Sequence, residues 1–427
     1  MKKWNTFLPA FCIVVASALN CAAQTELPPP PAGTPPFEEP PTLTASEILL
    51  PDFLSGPNFK TREPVPTYAG ANRYTLDTDF GVFDANGSVL LVQRVREINA
   101  IAAMREISKS DEFRSALKTA AKSPLMIGKQ LISNPVDTLS GVPKGIWKFM
   151  NRAGQGIKEA SEGRQKSEYE DSTAQSMIGF SKVKRKIAME FGVDPYSTNS
   201  VFQEELNSIA WASYAGQMTI KGAMAVFTGG ASTAISAVSM TGALNDALRE
   251  KSPGDLRLMN LGKLEKMGIS RGEANAFLNN PALSPTHQTG IVFVLEELNG
   301  VSGRSRFIQL ATQAEDETDG LFFMGTAALI ARVQKDGANL TRISSSGGLP
   351  VCLAKDGTVI VALQWDYAAW TPLVGRFAES LHTAKYGAFK PTGYRVVITG
   401  DASPSIQQAM KTLGVRFDIR QVPGPLK

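Results

Sequence analysis

Few of the residues from which reactive centres are built occur in this sequence of 427 residues. It holds three cysteines, at positions 12, 21 and 352, and two histidines, His287 and His382. Three cysteines make no disulfide framework, so an apolar core has to carry the fold. So few thiols and imidazoles also leave no transition-metal site of the nitrogen or sulfur type, and neither a metal nor a cofactor is implied. Charge of one sign is lacking too: 44 basic residues stand against 40 acidic ones, a formal +4 that predicts no strong attraction to nucleic acid. Absent as well are the G-x-S-x-G elbow, the P-loop, H-E-x-x-H and a G-x-G-x-x-G after a strand. Ser115 to Lys118 and Ser181 to Lys184 match S-x-x-K, but the companion motifs S-D-N and K-T-G are missing. No catalytic residue is assigned on these grounds.

Present instead is an export signal. Lys2 and Lys3 precede an uncharged apolar stretch from Phe7 to Leu19, too short to span a bilayer, and Cys21 and Ala23 provide small residues at −3 and −1. Residues 1–23 therefore read as a cleavable signal peptide. The mature chain is placed in the periplasm or cell envelope, or in the medium. Lipidation at Cys21 is the other reading, although Ala18, Leu19 and Asn20 before it fit that pattern poorly. Residues 24–72 are rich in proline, from Pro28 to Pro31 through Pro35, Pro36, Pro40 and Pro41 to Pro64 and Pro66. They are expected to form a linker, disordered to about Thr42, that acts as a spacer.

With 43% hydrophobic residues the remainder is long enough for a self-sufficient core. The expected class is α+β: a mainly helical domain over 73–316, entered through a β-hairpin, and a C-terminal α/β domain over 317–427. The hairpin is predicted from β-prone runs at Tyr74–Phe83 and Ser88–Gln93 around the turn signal Asn86-Gly87. Helices follow from Val95, from Asp111, from a capping box at Ser200 and Gln203 towards Lys221, from Ser284-Pro285, and over 319–333. Near the end, strands at 351–354, 358–363 and 395–399 and the alternation of Val415, Phe417 and Ile419 frame helices opened by Thr371-Pro372 and Ser403-Pro404.

The stretch LEKMGISRGEANAFLNNPALSPTHQTGIVFVLEEL, Leu264 to Leu298, resembles the helix-turn-helix head of lactose-repressor-type transcription regulators, through Gly268-Ile269-Ser270-Arg271, Leu278-Asn279-Asn280-Pro281 and Ser284-Pro285. The resemblance implies the local shape. It does not extend to DNA reading, because Gly272, Glu273, Ala274 and Asn275 stand where that family contacts the groove, and Glu273 would face phosphates with like charge.

Two further places suggest binding. The run 222–245 has no ionisable residue before Asp246, and Val226, Phe227, Ile235 and Val238 could contact a membrane surface, although the many small residues favour a buried helix pair. Trp365, Asp366, Tyr367 and Trp370 put a carboxylate among aromatics, the parts needed to hold a sugar or peptide, or else ordinary core at a strand-to-helix junction. Gly400-Asp401 could hold an anion, His382 could act as a general base, and Cys352 reads as a small buried hydrophobe. These features favour a non-enzymatic binding or scaffold protein of the envelope, its partner an envelope protein or cell-wall component and not nucleic acid. Membrane association through 222–245 and a hydrolase using His382 beside Asp366 or Asp401 are the alternatives.

Overall fold

The structure is a computed structural model that describes residues 29–121, 179–216, 218, 242–422 and 424–427. Residues 1–23, expected to be a signal peptide, the segment from Ile127 to Asn151 and most of 222–245 lie outside the described residues. The chain is a mixed α+β protein.

The proline-rich stretch departs from the expected linker. Residues 42–86 build a six-stranded antiparallel sheet from β1 (Thr42–Thr44), β2 (Ser55–Gly56), β3 (Phe59–Thr61), β4 (Pro64–Tyr68), β5 (Ala71–Thr78) and β6 (Gly81–Asn86), with short helices α1 (Ala45–Ile48) and α2 (Pro51–Leu54) between the first two strands. Strand β4, PVPTY, alternates strictly: Pro64, Pro66 and Tyr68 face solvent while Val65 and Thr67 are buried. Its proline half pairs only with β1, and only Thr67 and Tyr68 pair with β5. At each proline the strand thus has a single neighbour, the edge-like setting in which a missing N–H is tolerated.

The expected hairpin is not formed: β5 and β6 pair instead around the turn Asp79-Phe80, where Thr78 Oγ1 accepts from the Phe80 N–H and donates to the Gly81 carbonyl. Asn86-Gly87 instead ends β6, and Ser88–Gln93, expected as the second strand, forms the first turns of α3 (Ser88–Ser108). Leu90, Leu91 and Val92 are all buried, so this part of the helix shows no apolar stripe and a short run of its sequence cannot be told from a strand.

The helical middle continues with α4 (Asp111–Ala121), α5 (Phe180–Glu190), α6 (Ser200–Tyr214), α7 (Gly242–Glu250), α8 (Pro253–Lys266), α9 (Arg271–Leu278), α10 (Pro285–Glu297), α11 (Arg304–Ala311) and α12 (Glu317–Val333). Helix α6 is capped by Asn199, whose side chain accepts from the Phe202 N–H, one residue before the expected Ser200. Its helical hydrogen bonding stops at Tyr214 instead of reaching Lys221. Helices α8, α9 and α10 occupy the repressor-like stretch, and capping boxes at Ser252, Ser270 and Ser284 open each of them. Glu273 serves its own cap and takes a bond from Gln309 Nε2 at 2.6 Å, so its carboxylate is committed inside the protein.

The C-terminal part is a five-stranded sheet in the order β13-β11-β9-β8-β7, formed by β7 (Leu340–Ser346), β8 (Leu349–Ala354), β9 (Thr358–Leu363), β11 (Gly393–Ile398) and β13 (Val415–Asp418). Strands β7, β8 and β9 meander antiparallel. From β9 the chain crosses through α13 (Pro372–Thr383) to β11 and through α14 (Pro404–Thr412) to β13, all parallel. Short β10 (Tyr367–Ala368) and β12 (Asp401–Ala402) pair beyond the ends of β9 and β11. One apolar core runs from Leu49 and Leu76 through Leu91, Leu295 and Phe323 to Val361 and Ile406, joining the N-terminal sheet, part of the helical middle and the C-terminal sheet. A separate cluster holds the far half of α3 with α4, α5 and α6.

Candidate functional site

Strands β9 and β11 run in register from Thr358 beside Gly393 to Leu363 beside Ile398, so the loops that leave them start at one level. Gln364-Trp365-Asp366 and Thr399-Gly400-Asp401 are these loops. They interlock by backbone bonds: the Gly400 N–H donates to the Trp365 carbonyl at 2.7 Å and the Asp401 N–H to the Asp366 carbonyl at 2.9 Å. A Cβ on Gly400 would stand 2.0 Å from that Asp366 carbonyl oxygen, so only glycine permits the approach. On the other side the β4–β5 turn, Ala69-Gly70, has positive φ at both residues, 52° and 85°, as a two-residue hairpin of type I′ requires. Its Gly70 lies against the Trp365 ring and accepts the Asp366 N–H at 2.8 Å.

Asp366 is therefore sunk between three parts of the chain, with 3% of its surface exposed. Its Oδ2 accepts the N–H of Ser88 at 2.9 Å and of Asn72 at 3.1 Å. Ser88 is the first residue of α3 and Gly87 before it has no side chain to offer, so a carboxylate 278 residues away caps the helix. Negative charge there is favoured by the helix dipole. Gly87 holds φ 93° and ψ 150°, a conformation essentially confined to glycine. Around the carboxylate, Asn72 Nδ2 donates to the Tyr74 hydroxyl, and that hydroxyl bonds to Ser88 Oγ at 3.2 Å. Burial pushes the Asp366 carboxyl up to about 6 against the lowering effect of the bonds from Asn72 and Ser88.

Above Asp366 and Ser88 opens a cavity of about 510 Å³. Thr399, Gly400 and Asp401 form one wall. Leu50 and the terminal residues Pro425 and Leu426 form another, held by the Leu50 N–H bond to the Pro425 carbonyl and the Lys427 N–H bond to the Ile48 carbonyl. Cationic groups come from three places: Arg332 on α12, Lys427, and Arg420, whose guanidinium meets Asp401 at 2.5 Å. Arg420 has φ 55°, an uncommon left-handed conformation for a side chain other than Gly, Asn or Asp. A second depression, of about 560 Å³, lies at the opposite, amino end of the strands, by Lys355, Asp356, Tyr394 and Arg395. It has no buried ionisable group at its base.

No family model, curated protein or solved structure matches this chain.

Of the residues singled out in the sequence, Trp365, Asp366, Tyr367 and Trp370 do come together, but Trp365 and Trp370 are enclosed, at 2% and 0% exposure, and only Tyr367 is half-buried. Their rings pack inward against Gly70 and Phe37 and form no open platform. Gly400 and Asp401 line the cavity. His382 does not: it is exposed at the end of α13 with its ring tilted against that of Tyr394, the second residue of β11, at the far end of the sheet from Asp366 and Asp401. Cys352 is buried in β8, and burial pushes its thiol up to about 12. Val226, Phe227, Ile235 and Val238 lie outside the described residues. At the end of that run Leu244 is buried on α7 with Leu248 and Leu256. Among the described residues no helix is long and apolar enough to cross a membrane, and no cluster of three His, Cys, Asp or Glu side chains could hold a metal. Ser88, Asn72, Arg332 and Arg420 were not singled out in the sequence, because Ser88 was read as the start of a strand, Asn72 as the end of the proline-rich linker, Arg332 as part of a buried helix and Arg420 as the solvent side of a strand alternation.

A second concentration of buried charge lies between α3, the 194–199 loop, α10 and α12. Arg94 donates to both oxygens of Glu97 and to Glu317 Oε2 at 2.8 Å. Glu97 also accepts from Ser197 Oγ and Asn199 Nδ2, and Glu317 from Thr198. Nearby Asp194, bonded by Thr286 and the Tyr196 N–H, is pushed up to about 6 by burial, and His287 is lowered to about 4 by burial. These groups tie α3, the 194–199 loop, α10 and α12 together.

Proposed function

We propose that this chain is an exported protein of the cell envelope that binds a small ligand in the cavity at the carboxyl ends of β9 and β11, without transforming it. Export rests on the segment 1–23. The observation that carries the binding reading is the cavity itself, about 510 Å³ with buried Asp366 at its floor, since open parallel sheets bind ligands beyond the carboxyl ends of their strands. Neither histidine is among its lining residues, and the Ser88 hydroxyl is engaged with Tyr74, which supports binding over nucleophilic chemistry. Its walls carry Arg332, Arg420 and Lys427 together with Asp401, which suits a small molecule bearing a carboxylate or phosphate beside hydrogen-bond donors. Cell-wall fragments, which combine amide, amino and carboxylate groups, have that chemistry, and an envelope or cell-wall partner is the setting proposed for them.

The test is a melting-temperature screen of the mature chain with amino acids, amino sugars, sugar phosphates and short cell-wall peptides. An anionic member is expected to raise the melting temperature, and R420A to weaken it about tenfold, a loss of about 1.4 kcal/mol. If nothing in the panel shifts melting, the binding reading fails.

A further inference from the structure

After a turn at Ala32–Thr34, residues 35–41 before β1 run over the surface as a strap whose target is Trp370. Each polar group of that residue is met by the strap. The Trp370 Nε1–H donates to the Pro35 carbonyl at 3.0 Å, the Trp370 N–H donates to Glu38 Oε1 at 2.5 Å, and the Trp370 carbonyl accepts the Glu38 N–H at 2.9 Å. Phe37 packs on the indole, with ring centroids 5.5 Å apart. The ring enters a slot that exists because position 375 is glycine: a Cβ there would stand 2.7 Å from Phe37 Cε1. Glu38 also accepts the hydroxyl of Ser403, which caps α14 through the Ile406 N–H, so the carboxylate lies at a helix N-terminus.

This is the grammar of extended-peptide recognition. Prolines hold the segment straight and lower the ordering cost, main-chain bonds fix it, an aromatic fills a pocket, and an acid meets a hydroxyl and an N–H. We infer that the Trp370–Gly375–Ser403 surface is a recognition site for an extended segment of the form Pro-Pro-Phe-Glu, occupied in this chain by its own residues 35–38, and that the same segment on a partner protein is what it receives when the strap lifts. The sequence from Glu39 to Pro41 tethers the strap to β1, so the covalent copy has a large effective concentration and a free partner binds well only after the strap has been weakened. The site adjoins the cavity through β10 and β12 but shares none of the contacts on which ligand binding there was argued.

The probe is a synthetic peptide of residues 29–42, PPPAGTPPFEEPPT, titrated into the full mature chain and into F37A/E38A while tryptophan emission is followed. The double variant is expected to bind the peptide with a blue shift in emission and at least about tenfold more tightly than the unaltered chain, and not to bind the same peptide carrying the two alanines. A folded variant that binds neither peptide overturns the inference. Hydrogen exchange of the Trp370 indole N–H in the unaltered chain provides a test that needs no variant. Exchange faster than that of core amides shows the strap lifting from a folded body and supports the inference, and exchange only on global unfolding overturns it.

Discussion

Asp366 shows what a single carboxyl costs and provides when it is buried as a structural joint. In the folded chain burial holds its pKa at about 6, against the ordinary aspartate value of 3.8. Between these values the folded state binds the proton and the unfolded state does not. The contribution of Asp366 to stability is therefore fully present below about 3.8 and is lost as pH rises through about 6. The gap corresponds to about 3 kcal/mol. Asp194 titrates in the same direction and His287 in the opposite one, so the comparison that isolates Asp366 is with D366N. Urea unfolding between pH 4 and 7 should show the stability of the original chain, measured relative to D366N, falling by about 3 kcal/mol as pH rises. A constant difference would mean that the carboxyl does not titrate in this range. Local patterning did place Asp366 beyond a strand end among aromatics. What it could not contain is Asn72 and Ser88, nearly three hundred residues earlier, which turn a surface carboxylate into a buried helix cap.

Helix α3 reaches from that cap to the second apolar cluster, and midway it carries the Arg94–Glu97–Glu317 triad to α12. Removing one member of a buried ion group costs more than the group contributes, because its partners remain desolvated without a counter-charge. R94M should therefore destabilise the fold by about 3–5 kcal/mol in guanidinium unfolding, and adding E97Q and E317Q should recover part of the loss. A cost for R94M below about 1 kcal/mol would place the triad in water instead of in the interior. The same helix marks the limit of what its sequence discloses. Its later turns follow a helical spacing, as Ile98 and Ile101 do, and were legible. Its first turns, Val89-Leu90-Leu91-Val92, look equally like a strand, because the apolar surroundings that wrap them come from elsewhere in the chain. Strand β4 was hidden in the converse way: Pro64 and Pro66 conceal an alternation that Val65 and Thr67 keep.

At the scale of the whole molecule, much of the C-terminal α/β part was legible, since helices there open on caps at Thr371 and Ser403 and β9 and β13 fall where the patterns put them, while the edge strand β7, without a clear alternation, was not. Its autonomy is a separate matter. Residues 317–427 meet the rest of the chain at several surfaces. Helix α12 packs on α10, and its Phe323 lies edge-on to Phe307 of α11. Trp365 and Asp366 seat the β4–β5 turn and the start of α3, Trp370 is covered by the strap, and Leu426 pairs with Leu49. Cutting before Glu317 would expose the face of α12 that packs on α10 and leave Asp366 without its two backbone donors. Phe323 and Trp370, each at 0% exposure, would also lose their cover, and large apolar side chains are each worth about 1.5–3 kcal/mol when fully buried. Two such losses, about 3–6 kcal/mol, reach the lower part of the roughly 5–15 kcal/mol by which a domain is stable, before the lost donors to Asp366 are counted. Expressed alone, 317–427 should therefore retain little near-ultraviolet dichroism, bind hydrophobic dyes and lack a cooperative unfolding transition, while the chain from Pro29 to Lys427 unfolds with one. A fragment that melts cooperatively within a few degrees of the full chain would show instead that the continuous core is two cores in contact, each able to stand alone.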